Sequence, residues 1–292
     1  MPAVAAVSAR FGRDLGACLA HIERTVMQAR SRGAQLVVFP EATLGGYLFE
    51  NRLPVRRTPV PAPPALRRDG EEIAALAAIA GPTVLCVGYT EAAPGGLYSS
   101  AVCVTGDGIL GHQRKVHVPA AERDVYSPGS GFAAFDTPLG RMGMLICYDK
   151  VFPEAARELA LDGASTIASL AAWPVCRRNP ASRMRRDRQV RHFNLLDQVR
   201  AFENQVVWVS ANQSGTFGRL RFPGQAKVVD PDGCVLSTTG ARSGLALARL
   251  DPHGAVAGVR RELSHLADRR PYAYAAEPIP ALASGSGAPA IA

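Results

Sequence analysis

Short apolar segments alternate with helical segments along most of the chain, and this alternation limits the fold more than any other feature of the sequence. Residues 3–9 (AVAAVSA) and 35–39 (QLVVF) are typical of buried strands, and residues 14–33 lie between them. The helical spacing in that middle segment is carried by Leu15, Cys18, Leu19, Ile22, Val26 and Ala29. The order β-α-β at the start of the chain predicts an α/β fold.

The same alternation continues to about residue 250, with hairpins at Gly-Asp-Gly and Asp-Gly turns. Further helices are predicted over residues 71–80, 153–164 and 181–204. Further strands are predicted over residues 83–90, 97–118 (as two strands), 140–149, 165–173, 205–213, 226–230 and 245–250. We therefore expect mixed sheets in one domain, residues 1–279. Residues 54–66 are predicted to form a surface loop, and the Ala/Pro/Gly/Ser-rich residues 280–292 a disordered tail.

Composition excludes several classes of protein. With 47% hydrophobic and 20% charged residues in 292, the chain is globular and not disordered. It has no apolar run long enough for a membrane span, and its first residues do not resemble a signal peptide, so we expect a cytoplasmic protein with no membrane partner. The six cysteines form no CxxC pair, which argues against a metal or redox motif and predicts free thiols.

The net charge of +8 comes mostly from arginine, and residues 176–191 (CRRNPASRMRRDRQVR) form its densest cluster. Such a cluster can bind nucleic acid or acidic partners, but no interleaved aromatic side chains or nucleic-acid motif accompany it. A solvated loop and helix face is the simpler interpretation. We therefore predict no nucleic-acid partner.

Three predicted strand ends carry side chains of chemical interest. Glu41 follows one apolar strand, Lys115 follows a hairpin, and Cys147 ends the run MLIC. Each of these residues alone is most often structural. Together they provide a base, a cation and a nucleophile, and reactive groups in α/β folds gather at the carboxyl ends of strands. This set is what thiol attack on a carbonyl or nitrile carbon requires.

The segments around these residues resemble the nitrilase superfamily, the carbon–nitrogen hydrolases, over roughly residues 3–275. The resembling blocks are FPEATLGGY, HQRKVHVPAAERDVYSPG, GMLICYDKVFPEAARELALDGA, RAFENQVVWVSANQSG, VVDPDGCVL and DRRPYAY. The resemblance implies an αββα sandwich of two mixed sheets flanked by helices. It also implies Glu41 as general base, Lys115 as stabiliser of the oxyanion and Cys147 as nucleophile, with Glu122 positioning the substrate or the lysine and the backbone N–H of Tyr148 as a second oxyanion donor. It implies neither a metal nor a cofactor.

The substrate is less well defined by the sequence. Superfamily members that hydrolyse nitriles tend to have Trp-Glu after the nucleophile, whereas this chain has Tyr148 and Asp149. We therefore predict hydrolysis of a small amide, with an N-carbamoyl amine or a nitrile as alternative substrates. Tyr47, Tyr126 and Trp173 are candidate pocket residues. Arg177 and Arg178 follow Trp173, and we hypothesise that an arginine there holds a substrate carboxylate.

Two local departures from the superfamily pattern concern the pocket and not the three reactive residues. Ser99 stands where asparagine is usual, and residues 224–226 (GQA) replace a pattern of small residues and serine. A scaffold protein without turnover is the main non-enzymatic alternative. The resemblance further implies a homodimer or a higher homo-oligomer, with residues 153–162 and 260–275 as the pairing surfaces.

Overall fold

The computed structural model describes residues 1–48, 62–179 and 181–274. Most of the predicted loop 54–66 and the whole predicted tail 280–292 lie outside the described residues. The helices are α1 (Leu15–Arg30), α2 (Glu71–Ala80), α3 (Pro153–Leu161), α4 (Arg188–Asn204) and α5 (Pro252–Glu262). The strands are β1 (Ala3–Ala9), β2 (Ala34–Val38), β3 (Ala65–Leu66), β4 (Val84–Ala93), β5 (Gly96–Thr105), β6 (Gly108–Arg114), β7 (Phe135–Thr137), β8 (Gly140–Ile146), β9 (Thr166–Ala171), β10 (Val207–Phe217), β11 (Leu220–Pro223), β12 (Lys227–Val229), β13 (Val235–Thr238) and β14 (Gly244–Arg249).

The strands form two mixed sheets that are joined at one end. Their order is β6-β5-β4-β2-β1-β10-β9-β8-β7, and β1 pairs with β10 only at Ser8 and Ala9. Within the first sheet β1, β2 and β4 run parallel, and β14 adds to β1 antiparallel along its length. Within the second sheet β8, β9 and β10 run parallel, and β12 pairs antiparallel with β10. The chain therefore has parallel strands in the centre of both sheets.

The two sheets face each other across a shared apolar core. Val4, Leu36 and Cys86 of the first sheet belong to the same buried cluster as Met144 and Val209 of the second. The outer face of the first sheet packs on α1 and α2, and that of the second sheet packs on α3. Because side chains alternate between the two faces of a strand, each sheet buries both faces. This arrangement confirms the predicted αββα sandwich.

Most predicted elements are present, but three predictions were wrong in detail. The helix predicted over 181–204 begins only at Arg188, because the buried side chain of Asp187 accepts hydrogen bonds from the N–H groups of Gln189 and Val190 and caps the helix there. Part of the predicted loop 54–66 forms the short strand β3, which pairs with β4. The second Asp-Gly turn joins β12 to β13, whereas the strand at 245–250 pairs with β1.

None of the described helices is both long enough and apolar enough to cross a lipid bilayer.

Candidate active site

The ends of several strands meet at one edge of the sandwich. Glu41 lies three residues beyond β2, and Cys147 follows β8 directly. Ala172 follows β9, and its backbone N–H donates a 3.0 Å hydrogen bond to Oε2 of Glu41. Lys115 follows β6 and is tied to β5 by a hydrogen bond from its N–H to the carbonyl of Ser99. The fold thus assembles side chains that are far apart in the sequence, as expected for the carboxyl ends of parallel strands.

Lys115 lies between two carboxylates. Its Nζ is 2.9 Å from Oε1 of Glu41 and 2.7 Å from Oε2 of Glu122. The hydroxyl of Tyr47 donates a hydrogen bond to the other carboxylate oxygen of Glu122. All three charged side chains are buried, and unpaired charges in such a place would strongly destabilise the fold. The arrangement therefore holds one cation in a fixed place next to Glu41.

Glu41 also accepts hydrogen bonds from residues other than Lys115. Its Oε1 also accepts a 3.1 Å hydrogen bond from Ser99, and its backbone carbonyl accepts one of 3.0 Å from Nε2 of Gln213. Gly88 of β4 lies so close that a Cβ there would be 2.8 Å from Cα of Glu41. In the sequence, Ser99 stands out only as a departure from the superfamily pattern, and Gln213 was not among the predicted site residues. Neither has a sequence signal of its own, because their significance depends on long-range contacts.

The backbone at Cys147 has an unusual conformation. Its φ is +48°, and a 3-10 helix (Cys147–Val151) follows the end of β8 at once. The buried carboxylate of Asp149 accepts hydrogen bonds from the N–H groups of Ile146 and His117, and from the ring of His117. Left-handed backbone is costly for a non-glycine residue and persists only where surrounding contacts enforce it. Asp149 supplies such contacts and fixes the turn that presents the thiol.

His117 has a packing role in this site. Its ring stacks on Phe152 with the centroids 3.7 Å apart, and it bonds to Asp149. These contacts make His117 part of the packing around the turn that carries Cys147.

Burial and charge together set the protonation of the site. Burial raises the pKa of Cys147 well above its ordinary value, and the charge of Glu41 raises it further against the opposing effect of Lys115. Burial opposes the charged form of Lys115, but the carboxylates of Glu122 and Glu41 outweigh it and raise the pKa of the lysine. Burial also raises the pKa of Glu122, against Lys115. Cys147 is therefore a thiol at neutral pH, and it needs a proton acceptor when it attacks.

A cavity of about 320 Å³ opens in front of Cys147, a size within the usual range for small-molecule sites. All four predicted substrate-binding residues, Tyr47, Glu122, Tyr148 and Trp173, lie on its wall. The candidate Tyr126 does not, because it is buried and its hydroxyl bonds to Thr90 at 2.8 Å. The rest of the wall consists of Pro119, Ala172, Pro174, Val175, Cys176, Arg177, Arg178, Arg188 and Gln189.

A second buried charge cluster, which the sequence analysis did not identify, lies behind the 3-10 helix. Asp197 of α4 accepts from Nζ of Lys150 at 2.6 Å, from Nζ of Lys227 at 2.5 Å and from Nε1 of Trp208 at 2.9 Å. Both lysine ammonium groups also lie over the ring of Phe193, at 3.5 and 4.1 Å from its centroid. Lys150 belongs to the same turn as Cys147, so this cluster connects that turn to α4 and β12.

Among the described residues, no group of three or more histidine, cysteine, aspartate or glutamate side chains is arranged to hold a metal ion.

An αββα sandwich that brings a buried thiol, a lysine and two carboxylates to one edge defines the nitrilase superfamily class of hydrolases. The model of the carbon-nitrogen hydrolase family matches residues 3–257, and the chain belongs to that family. It is therefore an enzyme of the carbon–nitrogen hydrolase type, as the sequence predicted.

The relatives of this chain are named for different substrates, so membership of the family does not specify the substrate. A nitrilase of Pyrococcus abyssi is 34% identical over 74% of this chain and 76% of its own. An (R)-stereoselective amidase of Pseudomonas sp. is 31% identical over 80% of this chain and 79% of its own. An N-carbamoylputrescine amidase of Solanum lycopersicum is 27% identical over 93% of both chains. A carbon-nitrogen hydrolase structure from Helicobacter pylori superposes with a TM-score of 0.79 at 24% identity, over 94% of this chain and 96% of that one.

Proposed function

We propose that the protein hydrolyses a non-peptide C–N bond in a small amide through a thioester on Cys147 and releases ammonia or an amine. The observation that carries this proposal is the placement of Cys147 on the wall of the cavity, where its thiol interacts electrostatically with the buried Glu41–Lys115 pair. A thiol that is protonated at rest, a buried carboxylate and a fixed ammonium are the three groups that acyl transfer to sulfur requires.

In the first half of the reaction, Sγ of Cys147 attacks the carbonyl carbon while Glu41 accepts the thiol proton. The oxygen of the tetrahedral intermediate gains negative charge, which the ammonium of Lys115 and the backbone N–H of Tyr148 stabilise. The C–N bond then breaks, and Glu41 returns the proton to the leaving nitrogen. Glu122 keeps Lys115 in place through their 2.7 Å contact.

In the second half, water attacks the thioester carbon while Glu41 accepts a proton from it. The C–S bond breaks, the sulfur takes the proton back, and the carboxylic acid leaves. The same carboxylate thus serves as base and acid in both halves. Tyr47 and Trp173 shape the cavity around the acyl group, with Trp173 fixed by its 3.0 Å hydrogen bond to Gln189.

An N-carbamoyl amine is the second candidate substrate. The similarity to an N-carbamoylputrescine amidase over 93% of the chain favours it, and the Tyr148–Asp149 pair favours both an amide and a carbamoyl group over a nitrile. The reaction of an N-carbamoyl amine would follow the same steps as that of an amide. It differs in its product, because hydrolysis of a carbamoyl group on Cys147 yields carbon dioxide.

The test compares an amide, an N-carbamoyl amine and a nitrile that share one carbon skeleton. We expect the amide to be hydrolysed fastest, with ammonia or amine release and no carbon dioxide. Intact-mass and peptide mass spectrometry after rapid quenching should find the acyl adduct on the peptide that contains Cys147. Exposed Cys234 provides the internal control. Carbon dioxide release from the N-carbamoyl compound at a higher rate would favour the second candidate, and an adduct confined to Cys234 would refute the mechanism.

We also propose that the protein forms a homodimer, in which a second copy covers an apolar face of α4. Leu195, Val199 and Phe202 are 59%, 37% and 50% exposed, and their spacing places them on one side of the helix. Exposed Leu161 and Leu263 extend apolar surface into the two segments that the sequence predicted as pairing surfaces. An exposed apolar helix face of this kind typically marks a protein interface.

Light scattering at micromolar concentration should therefore give the mass of a dimer for the wild type and that of a monomer for Leu195→Asp. The control Ile109→Asp makes the same change at a residue of β6 that is 44% exposed, and it should stay dimeric. A monomeric wild type would overturn this proposal.

The extent of the domain and the cellular location are also part of the proposal. Residues 1–279 form one hydrolase domain, which the pairing of β14 with β1 supports because it unites distant parts of the chain in one sheet. The protein is cytoplasmic, which its six free thiols support, since thiols persist in reducing compartments.

A further inference from the structure

Arginine side chains line the outer wall of the cavity in front of Cys147. Arg177, Arg178 and Arg188 line it, whereas Glu122 is the only carboxylate among its described lining residues. Glu122 belongs to the inner end, where Lys115 and Tyr47 engage it. At the outer wall an incoming ligand therefore meets guanidinium groups, and none of the described residues that line this part of the cavity carries a carboxylate.

The carboxylate of Asp187, which precedes Arg188 in the chain, is used by the backbone. It is buried, and it accepts hydrogen bonds from the N–H groups of Cys176, Gln189 and Val190. These bonds tie the segment that follows Trp173 to the start of α4. Asp187 thus fixes the wall that carries the arginines, and its negative charge is turned toward backbone donors.

The position of Arg188 is also defined by a contact. Its Nε donates to Sγ of Cys176 at 3.1 Å, and Cys176 itself is buried in the cavity wall. A guanidinium offers several N–H donors in a planar fork, so a bond from Nε leaves further donors on the same group. Arginine is the side chain best suited to bind a carboxylate through two parallel hydrogen bonds.

From this wall we infer that the substrate carries an anionic group, a carboxylate, at the end remote from its scissile amide. This inference rests on the proposed function and names the substrate class of the same site. Arg178 and Arg188 bind the carboxylate at the outer wall while the amide carbonyl lies at Cys147. Substrates that end in an ammonium group are disfavoured there, because like charges repel in a partly desolvated cavity.

The experiment uses three amides of matched shape: the monoamide of glutaric acid, its neutral methyl ketone analogue, and the analogue with a terminal ammonium group. We expect kcat/KM to be highest for the anion, about tenfold or more above the ketone, and lowest for the cation. Raising the salt concentration should reduce the advantage of the anion, because the arginines are partly exposed to solvent.

Arg178→Gln and Arg188→Gln should each lower the ratio of kcat/KM between the anion and the ketone by about tenfold. Arg178→Lys and Arg188→Lys, which keep the charge but not the planar fork, should lower it less. The matched control is Arg191→Gln, one turn further along α4, exposed and outside the cavity lining. It should leave the ratio as in the wild type.

The outcomes separate this inference from the proposed function. If the wild type hydrolyses the anion and the ketone equally well, or if the arginine variants keep the wild-type ratio, the inference is refuted and the amidase mechanism stands. If none of the three amides is hydrolysed and none leaves an adduct on Cys147, the proposed function itself fails.

Discussion

Replacing Cys147 with alanine should lower kcat for the best amide substrate by at least about ten-thousand-fold. The alanine variant has no atom that can form the thioester, and neither Glu41 nor Lys115 can replace a nucleophile. Glu41 and Lys115 should keep their positions in this variant. Hydrogen bonds from Nζ of Lys115, the hydroxyl of Ser99 and the N–H of Ala172 hold the Glu41 carboxylate, and none of them involves the thiol. The loss should therefore appear in kcat, while substrate binding measured by calorimetry stays within a few-fold of the wild type.

Cys234→Ala is the matched control for this experiment. Cys234 is an exposed free thiol, and its backbone N–H, which the substitution keeps, makes its bond to Asp230. The control variant should retain wild-type kcat and KM, and circular dichroism should show both variants folded. Measurable turnover by Cys147→Ala, beyond what contaminating hydrolase explains in a parallel mock purification, would contradict the assignment of the nucleophile.

The sequence predicted the fold and the position of Glu41, Lys115 and Cys147 at the ends of strands, because both depend on local patterns. The apolar runs at 3–9 and 35–39 gave β1 and β2 nearly to the residue, since buried parallel strands are recognisable from continuous apolar composition. Cys147 could be placed at a strand end because β8 is apolar up to Ile146 and the chain then turns polar. In such cases the local sequence and the tertiary environment favour the same structure.

The start of α4 could not be predicted in the same way. Residues 181–187, which follow Pro180, contain no strong helix breaker. Helix propensity alone therefore predicts that the helix begins at residue 181 and not at Arg188. The boundary is set by Asp187, which caps the helix and also bonds to the N–H of Cys176, eleven residues earlier. That second contact is tertiary, and it is also what brings the arginines to the cavity wall.

The Lys150–Asp197–Lys227 cluster was missed for a related reason. Its three members are separated by 47 and 30 residues, and each one looks like an ordinary surface charge in the sequence. Charged residues are rarely buried unless they are paired, and the pairing becomes visible only when the 3-10 helix, α4 and β12 are brought together.

Removal of the shared carboxylate should therefore destabilise the protein more than almost any other single change. We expect Asp197→Asn to lower the free energy of unfolding by about 3–5 kcal/mol at pH 7. Both lysines would lose their counter-ion, and the new amide nitrogen would face an ammonium group with a donor. Equilibrium urea denaturation measures the effect, and the exposed Asp232→Asn should change stability by less than about 0.5 kcal/mol.

The pH dependence identifies the charge as the cause. Burial lowers the pKa of Lys227 to about 8 in the folded protein, against about 10.4 for an unfolded lysine. Between these values the unfolded state binds more protons, so this lysine makes the wild type more stable as pH rises. In Asp197→Asn the pKa values of both lysines fall further, and at alkaline pH they can lose their protons instead of remaining as unpaired buried cations. The destabilisation should consequently be smaller at alkaline pH than at pH 7.

A triple variant separates charge from packing at the same place. Lys150→Met, Asp197→Leu and Lys227→Met together remove every charge of the cluster and keep comparable volume, and such replacements are often neutral or stabilising. The triple variant should therefore recover most of the stability that Asp197→Asn loses. If Asp197→Asn instead keeps the wild-type urea midpoint at pH 7, the two lysines are not held as buried cations by this carboxylate. If the triple variant is as unstable as the single one, the cluster stabilises the fold through its hydrogen-bond geometry and not by balancing charge.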